Sequence, residues 1–416
     1  MLKRIAVGFM AVALLLFSGC GLRIEAEDLM RGITPRPVTA VALEGSSFID
    51  SAASFSVDLF RESFAEDENS LISPVSVLLA LAMTANGAKN TTLSQMEAVL
   101  GGGLEIQELN RYLYSFVNGL HSEKKSRLEI ANSIWFREND FTVNRDFLQT
   151  NADYFGADAY SAPFNDRTVR DINNWVKRNT DKMIDSIIDR IPPEAVMYLI
   201  NTVLFDAEWA RIYERSDIRS GQFTAFDGAR QTVEFMNSNE SRFIQDDNAV
   251  GFIKPYHGNH YSFAALLPDE NVSIHDYVAS LTGERLIRAV NNAQTASVWA
   301  SLPKFEYDFE LSMNDALKAL GMVDAFCEED ADLTGIGRAG WGNGNLFINN
   351  VQHKTFISVN ERGTRAGAVT SVEINGPTSV PEFVYVILDR PFLYAIIDNA
   401  TGLPVFMGTV ISMHNS

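Results

Sequence analysis

Residues 361–370 read Glu-Arg-Gly-Thr-Arg-Ala-Gly-Ala-Val-Thr, and the chain continues Ser371-Val372-Glu373-Ile374-Asn375-Gly376-Pro377-Thr378. As a strand, this stretch would place Thr364, Ala366, Ala368, Thr370, Val372 and Ile374 on one face, because side chains alternate with a period of two. Arg365, Gly367, Val369, Ser371, Glu373 and Asn375 would take the other. One face is small or apolar and the other mixed polar, the pattern of a strand buried on one side within a sheet. Yet Gly363, Gly367, Gly376 and Pro377 make it a poor strand by itself. A segment with a strand's alternation and a loop's breakers is suited to two states.

Outward from this stretch, the chain divides by periodicity. Phe48–Phe64 carries apolar residues at helical spacing, and Val77–Asn86 is so uniformly apolar that it must be a buried helix. Thr168–Ile188 is expected to form one longer amphipathic helix, with Ile172, Trp175, Val176, Met183 and Ile187 inward. Arg127–Phe136 and Ala195–Phe205 are rich in β-branched and aromatic residues and predict strands, as do Phe223–Phe235, Val250–Leu267, Ser297–Phe305 and Phe383–Val410, with a helix at Leu311–Leu320. Helices gathered early and strands late, without strict alternation, indicate an α+β fold. No internal repeat or low-complexity tract is present.

The 416 residues are 46% apolar and 21% charged, the composition of a globular protein with a sizeable core. Met1–Gly19 has a charged start, Lys3 and Arg4, followed by an apolar run, Ile5–Phe17, too short to remain as a spanning helix. It reads as a signal peptide. Its end, Phe17-Ser18-Gly19-Cys20, resembles a bacterial lipobox with Phe17 in place of the usual Leu; Cys20 would then carry a diacylglycerol and become the first residue. The same residues would also serve a soluble secreted protein cleaved nearby. Residues 20–45, with Pro35 and Pro37 and no sustained periodicity, are expected to be a tether, and residues 46–416 the folded domain. Cys327 is then the remaining thiol, so no internal disulfide is expected. The formal charge of −19 becomes about −21 on loss of Lys3 and Arg4, which disfavours nucleic acid and anionic surfaces as partners.

Catalytic constellations are missing from the sequence: no G-x-S-x-G elbow, no H-E-x-x-H, no Walker loop and no paired C-x-x-C. His257-Gly258-Asn259-His260 has metal-ligand residue types but no obvious third ligand, and reads as a polar hairpin turn. Glu328-Glu329-Asp330 reads as a solvated face. No cofactor or metal is expected.

Five motifs in one order carry a family resemblance. Residues 361–370 resemble the serpin hinge E-x-G-T-x-A-x-A-x-T, preceded by His353–Asn360 (HKTFISVN), which is similar to the family's H-K-x-x-I-x-V-N strand. Asn69–Thr92 resembles its SPxSxxxALAMxxxGAxxxT helix, and Asn201–Phe205 with Trp209 its N-x-x-x-F-x-x-x-W strand. Leu302-Pro303-Lys304-Phe305 and the terminal Pro391-Phe392 with Phe406-Met407-Gly408 complete the set.

The resemblance, from about Ser46 to Met413, implies three β-sheets with eight or nine helices and an exposed reactive loop. It implies a monomeric suicide-substrate inhibitor: a protease cleaves the loop, is held as an acyl-enzyme, and is displaced when the loop enters the main sheet. The hinge would comprise Glu361, Gly363, Thr364, Ala366, Ala368 and Thr370. Arg362, Arg365 and Val369 depart from the family pattern, and Arg365 is outward by parity. Ser73, Ser76, Asn201 and His353 align with a polar cluster where the strands part, and Trp209 and Lys304 with the place where the loop first enters. Lys304 and Glu361 are set to pair there. Counting from Glu361, the reactive bond falls at Pro377–Thr378. No Lys or Arg lies between Arg365 and Arg390, which excludes trypsin-like targets. Ile374, Val372 and Val380 nearby suit elastase- or subtilisin-like serine proteases, with a cysteine protease in reserve. The alternative is a non-inhibitory serpin acting as a binding or chaperone-like protein. With Cys20 lipidated, the location would be extracytoplasmic, on the bacterial cell envelope.

Overall fold

The computed structural model describes residues 23–138, 141–193, 195–340, 346–364 and 384–413. Nine α-helices are present among them: α1 Ser47–Glu62, α2 Pro74–Ala85, α3 Asn90–Gly101, α4 Ile106–Gly119, α5 Arg145–Phe155, α6 Asp166–Asn179, α7 Ile274–Ser280, α8 Gly283–Asn291 and α9 Asn314–Ala319. The strands form three sheets.

The first sheet has seven strands. In spatial order these are β1 (Glu27–Asp28), β5 (Asp158–Ala162), β3 (Ser126–Arg137), β6 (Met197–Glu208), β15 (Gly363–Thr364), β14 (Gln352–Asn360) and β12 (Phe305–Ser312). The second has nine, ordered β16 (Val384–Ile387), β11 (Gln294–Pro303), β8 (Arg230–Asp246), β9 (Ala249–Pro255), β10 (Tyr261–Pro268), β17 (Phe392–Asp398), β18 (Pro404–Val410) and β2 (Leu71–Ile72), with β7 (Ile218–Thr224) paired to β8. β4 (Phe141–Val143) and β13 (Gly337–Ala339) make a separate ribbon.

Local chemistry explains the central elements. α2 starts where the Ser73 hydroxyl accepts the Ser76 N–H and Pro74 occupies the first turn, and all twelve of its residues are buried. An all-apolar helix is stable only where every side is covered. β10, β17 and β18 are likewise buried at every position, which is why they lack hydrophobic alternation. α8 begins against α1 at Gly283, where a Cβ would fall 2.4 Å from the backbone nitrogen of Ser54.

Three expectations are corrected. The helix predicted over Thr168–Ile188 ends at Asn179: Asp181 and Lys182 take positive φ, and the Asn173 amide accepts the Ile187 N–H at 2.9 Å and donates to the Ile188 carbonyl at 2.8 Å. The strand expected over Phe223–Phe235 is a hairpin, β7 to β8, turning at Gly228 with φ +83°. The described part of the expected tether, residues 23–45, lies along the body. β1 pairs with β5, the Asp171 carboxylate accepts the Glu25 and Ala26 N–H groups, and Arg36 pairs with Asp153 at 2.6 Å. Residues 1–22, Cys20 among them, lie outside the described residues.

Candidate functional site

The site is the place where β15 enters the first sheet. β14 ends at Asn360, the chain turns through Glu361 and Arg362, and β15 returns antiparallel, pairing Val359 with Thr364 and Asn360 with Gly363. On its other side β15 pairs with β6, Gly363 with Glu208 and Thr364 with Ala207. Gly363 answers to a close approach, since a Cβ there would lie 2.0 Å from the Ala207 carbonyl oxygen. Thr364 is 3% exposed, and its hydroxyl lies 2.6 Å from the Tyr256 phenol oxygen. The inward parity of Thr364 is therefore as the sequence pattern has it. Ala366, Ala368, Thr370, Pro377 and Thr378 lie outside the described residues.

Below Thr364, among the described residues, no pairing joins β6 directly to β14. Their facing segments, Val203–Phe205 and Thr355–Ile357, line a narrow, partly open gap, to which Met183 and Ile184 contribute. This is the use of the chain after α6, which leaves its helix at Thr180 and passes by this gap instead.

The N-terminus of α2 bridges the two banks. On the β14 side, the Ser73 backbone N–H donates to His353 Nε2 at 3.0 Å, while the Ser73 hydroxyl donates to the Val405 carbonyl on β18 of the second sheet at 2.9 Å. On the β6 side, the Ser76 hydroxyl donates to Asn201 Oδ1, and the Asn201 amide donates to Asn132 Oδ1 on β3. The four residues singled out from sequence thus meet in one polar chain, and Asn132 joins them. Asn132 was not foreseen; only its register opposite Asn201 marks it. Burial pushes the His353 imidazole down to about 4, so the ring is neutral and Nε2 is free to accept.

A second cluster surrounds the turn at residues 360–362. Trp209 donates its indole N–H to the Asn360 carbonyl at 2.9 Å and its backbone N–H to Arg362 at 2.8 Å, and the Tyr213 N–H donates to the Glu361 carbonyl at 2.9 Å. Trp209 is stacked on Tyr256, with ring centroids 4.5 Å apart. Lys304 Nζ lies 2.9 Å from both Glu361 and Glu234. Hydrogen bonding from Lys304 holds the Glu361 carboxyl below its ordinary range. Tyr256 and Tyr213 were not foreseen from the sequence, where His257–His260 was read as a turn; it is the turn between β9 and β10. Among the described residues no group of three or more His, Cys, Asp or Glu is placed to hold a metal ion.

The family model for serpins, the serine protease inhibitors, matches residues 50–413. Human neuroserpin is 30% identical over 385 residues, covering 88% of this chain and 92% of its own. Tengpin, a thermophilic serpin, is 53% identical; its native-state structure covers 94% of this chain and all of its own, with a TM-score of 0.89. Tengpin in its latent state covers 90% of this chain, with a TM-score of 0.82. Over residues 50–413, the chain belongs to the serpin family.

Proposed function

We propose that this chain is a single-use inhibitor of extracytoplasmic endoproteases, chiefly serine proteases of elastase- or subtilisin-like specificity. One observation carries the reading: Thr364 is already seated between β6 and β14, and the residues that follow at its parity, Ala366, Ala368 and Thr370, are small. Small residues can enter the space between the banks without burying an unpaired charge.

A protease attacks the loop near Pro377–Thr378. Its serine oxygen bonds to the carbonyl carbon on the acyl side, and the amine of the next residue leaves with a proton. The freed segment then extends β15 between β6 and β14, gaining ladder hydrogen bonds and one buried face before water can break the ester. Insertion of a cleaved reactive loop is a recognised behaviour of serpins. The N-terminal sequence supports a signal peptide over 1–19 and a lipidated Cys20, which would anchor the chain, as a monomer, to the bacterial cell envelope.

Incubation with a panel of serine and cysteine proteases tests the reading. A protease-sized adduct that survives boiling in detergent is the expected result. Loop hydrolysis by every protease tried, without an adduct, would assign the chain to the non-inhibitory, binding or chaperone-like serpins.

A further inference from the structure

We propose that Lys254 and Glu240 are a positioning pair that holds the first inserted residues of the hinge in the sheet; the inference rests on the loop-insertion reading above. Lys254 Nζ lies 2.8 Å from Glu240 Oε1, and the two side chains are 2% and 8% exposed. β9 is otherwise uncharged and largely buried there, with Phe252 and Ile253 preceding the lysine. Burying an ion pair in such a place gives little net stability, since apolar residues of similar volume serve as well or better. Its value must lie in what it holds.

The ammonium holds two rings. It lies 4.3 Å from the centroid of Tyr213 and 5.4 Å from that of Trp209, within cation–π range of both. These are the two residues whose N–H groups bond to the carbonyls of Asn360, Glu361 and Arg362, one donor to each. The whole turn between β14 and β15 is therefore clasped by a segment anchored on one buried cation. Glu240 is itself fixed by the Ser238 hydroxyl at 2.6 Å, and the Ser238 hydroxyl also lies 3.3 Å from the Tyr213 phenol.

The clasped turn is a nucleus for insertion. Gly363 and Thr364 already pair with both neighbouring strands. Each further pair of residues then adds bonds to both neighbouring strands without the entropy cost of starting a new strand. Loosening the clasp would let β15 lift out, and insertion would have to begin again from a free loop.

Two variants separate positioning from stability. Lys254→Met with Glu240→Gln keeps the volume and leaves no charge unpaired; Tyr213→Leu keeps the ion pair and removes a ring it acts through. The loop of the full-length protein is nicked with subtilisin, and pulsed hydrogen exchange follows the amides of Val203–Phe205 and Thr355–Ile357 as they gain protection. Both variants should insert about tenfold more slowly than wild type, the kinetic equivalent of losing roughly one net hydrogen bond, with the unfolding midpoint of the uncut double variant near wild type. A double variant that inserts at the wild-type rate overturns the inference, whether or not its midpoint falls. If that variant does not fold, Tyr213→Leu decides alone. Wild-type amides that never gain protection would refute loop insertion itself, and the inference with it.

Discussion

The phenol of Tyr256 and the hydroxyl of Thr364 lie 2.6 Å apart across 108 residues of sequence, both side chains buried. Burial, the largest cause, raises the Tyr256 phenol well above its ordinary range, so the pair is a neutral hydrogen bond. It fixes Thr364 as inward-facing, the face on which Ala366 and Ala368 would fall by parity if the strand were extended.

Under the inhibitory reading, Thr364→Arg should therefore leave a chain that proteases cleave without being trapped. A guanidinium at this position would be buried without a partner, at a cost of several kcal/mol by order of magnitude. Detergent-stable complex should disappear on denaturing gels while loop cleavage continues. Unchanged stoichiometry of inhibition would refute the inward parity.

His353 makes stability depend on acid. Its imidazole is pushed down from 6.5 to about 4 by burial, so the unfolded chain binds this proton more readily than the folded one. The contribution is complete above pH 6.5 and is lost as pH falls toward 4, amounting to about 3 kcal/mol at ~1.4 kcal/mol per tenfold in proton affinity. Urea midpoints measured between pH 7 and pH 4 should fall, and His353→Gln should flatten that slope. Equal slopes would place the titrating group elsewhere.

Lys304 shows the opposite balance. It is shared between Glu234 and Glu361, and the Glu361 side chain is 40% exposed. Glu361→Gln should change stability by no more than about 0.5 kcal/mol, since water screens such a pair. A loss of several kcal/mol in chemical denaturation would mean that the pair is far better shielded than this.

Asp171 anchors the chain that leads into the domain. Its carboxylate is 4% exposed and accepts the N–H groups of Glu25 and Ala26 at 3.1 and 3.0 Å. Asp171→Ala should free residues 23–28, raise their amide exchange, and cost about 1–3 kcal/mol. Exchange at Glu25 and Ala26 that stays at the wild-type rate would show that β1 is held by its pairing with β5 alone.

The lipid is testable apart from the fold. Mature protein should partition into membranes with added mass on Cys20, because two acyl chains anchor stably where one does not. Cys20→Ser protein that remained membrane-bound would exclude the lipid as the anchor.

What the sequence by itself determined is whatever depends on local periodicity. The run Val77–Asn86 could only be a covered helix, and it is α2, buried throughout. Alternation around Thr364 set the inward face, because side-chain direction in a strand follows from residue parity alone. Motif order groups Ser73, Ser76, Asn201 and His353, and one chain of hydrogen bonds joins them. The tertiary structure decided what depends on partners far along the chain. α6 ends at Asn179 although amphipathic spacing runs on to Ile188, because Asn173 captures the returning backbone and two residues adopt positive φ. Residues 23–45 have no periodicity and read as a tether, but Asp171 and Asp153 supply acceptors from elsewhere. Lys254 reads locally as a charge interrupting an apolar strand; only folding brings Glu240, Tyr213 and Trp209 around it. Periodicity is a property of neighbouring residues, whereas satisfying a buried polar group requires a partner that only the folded chain can bring.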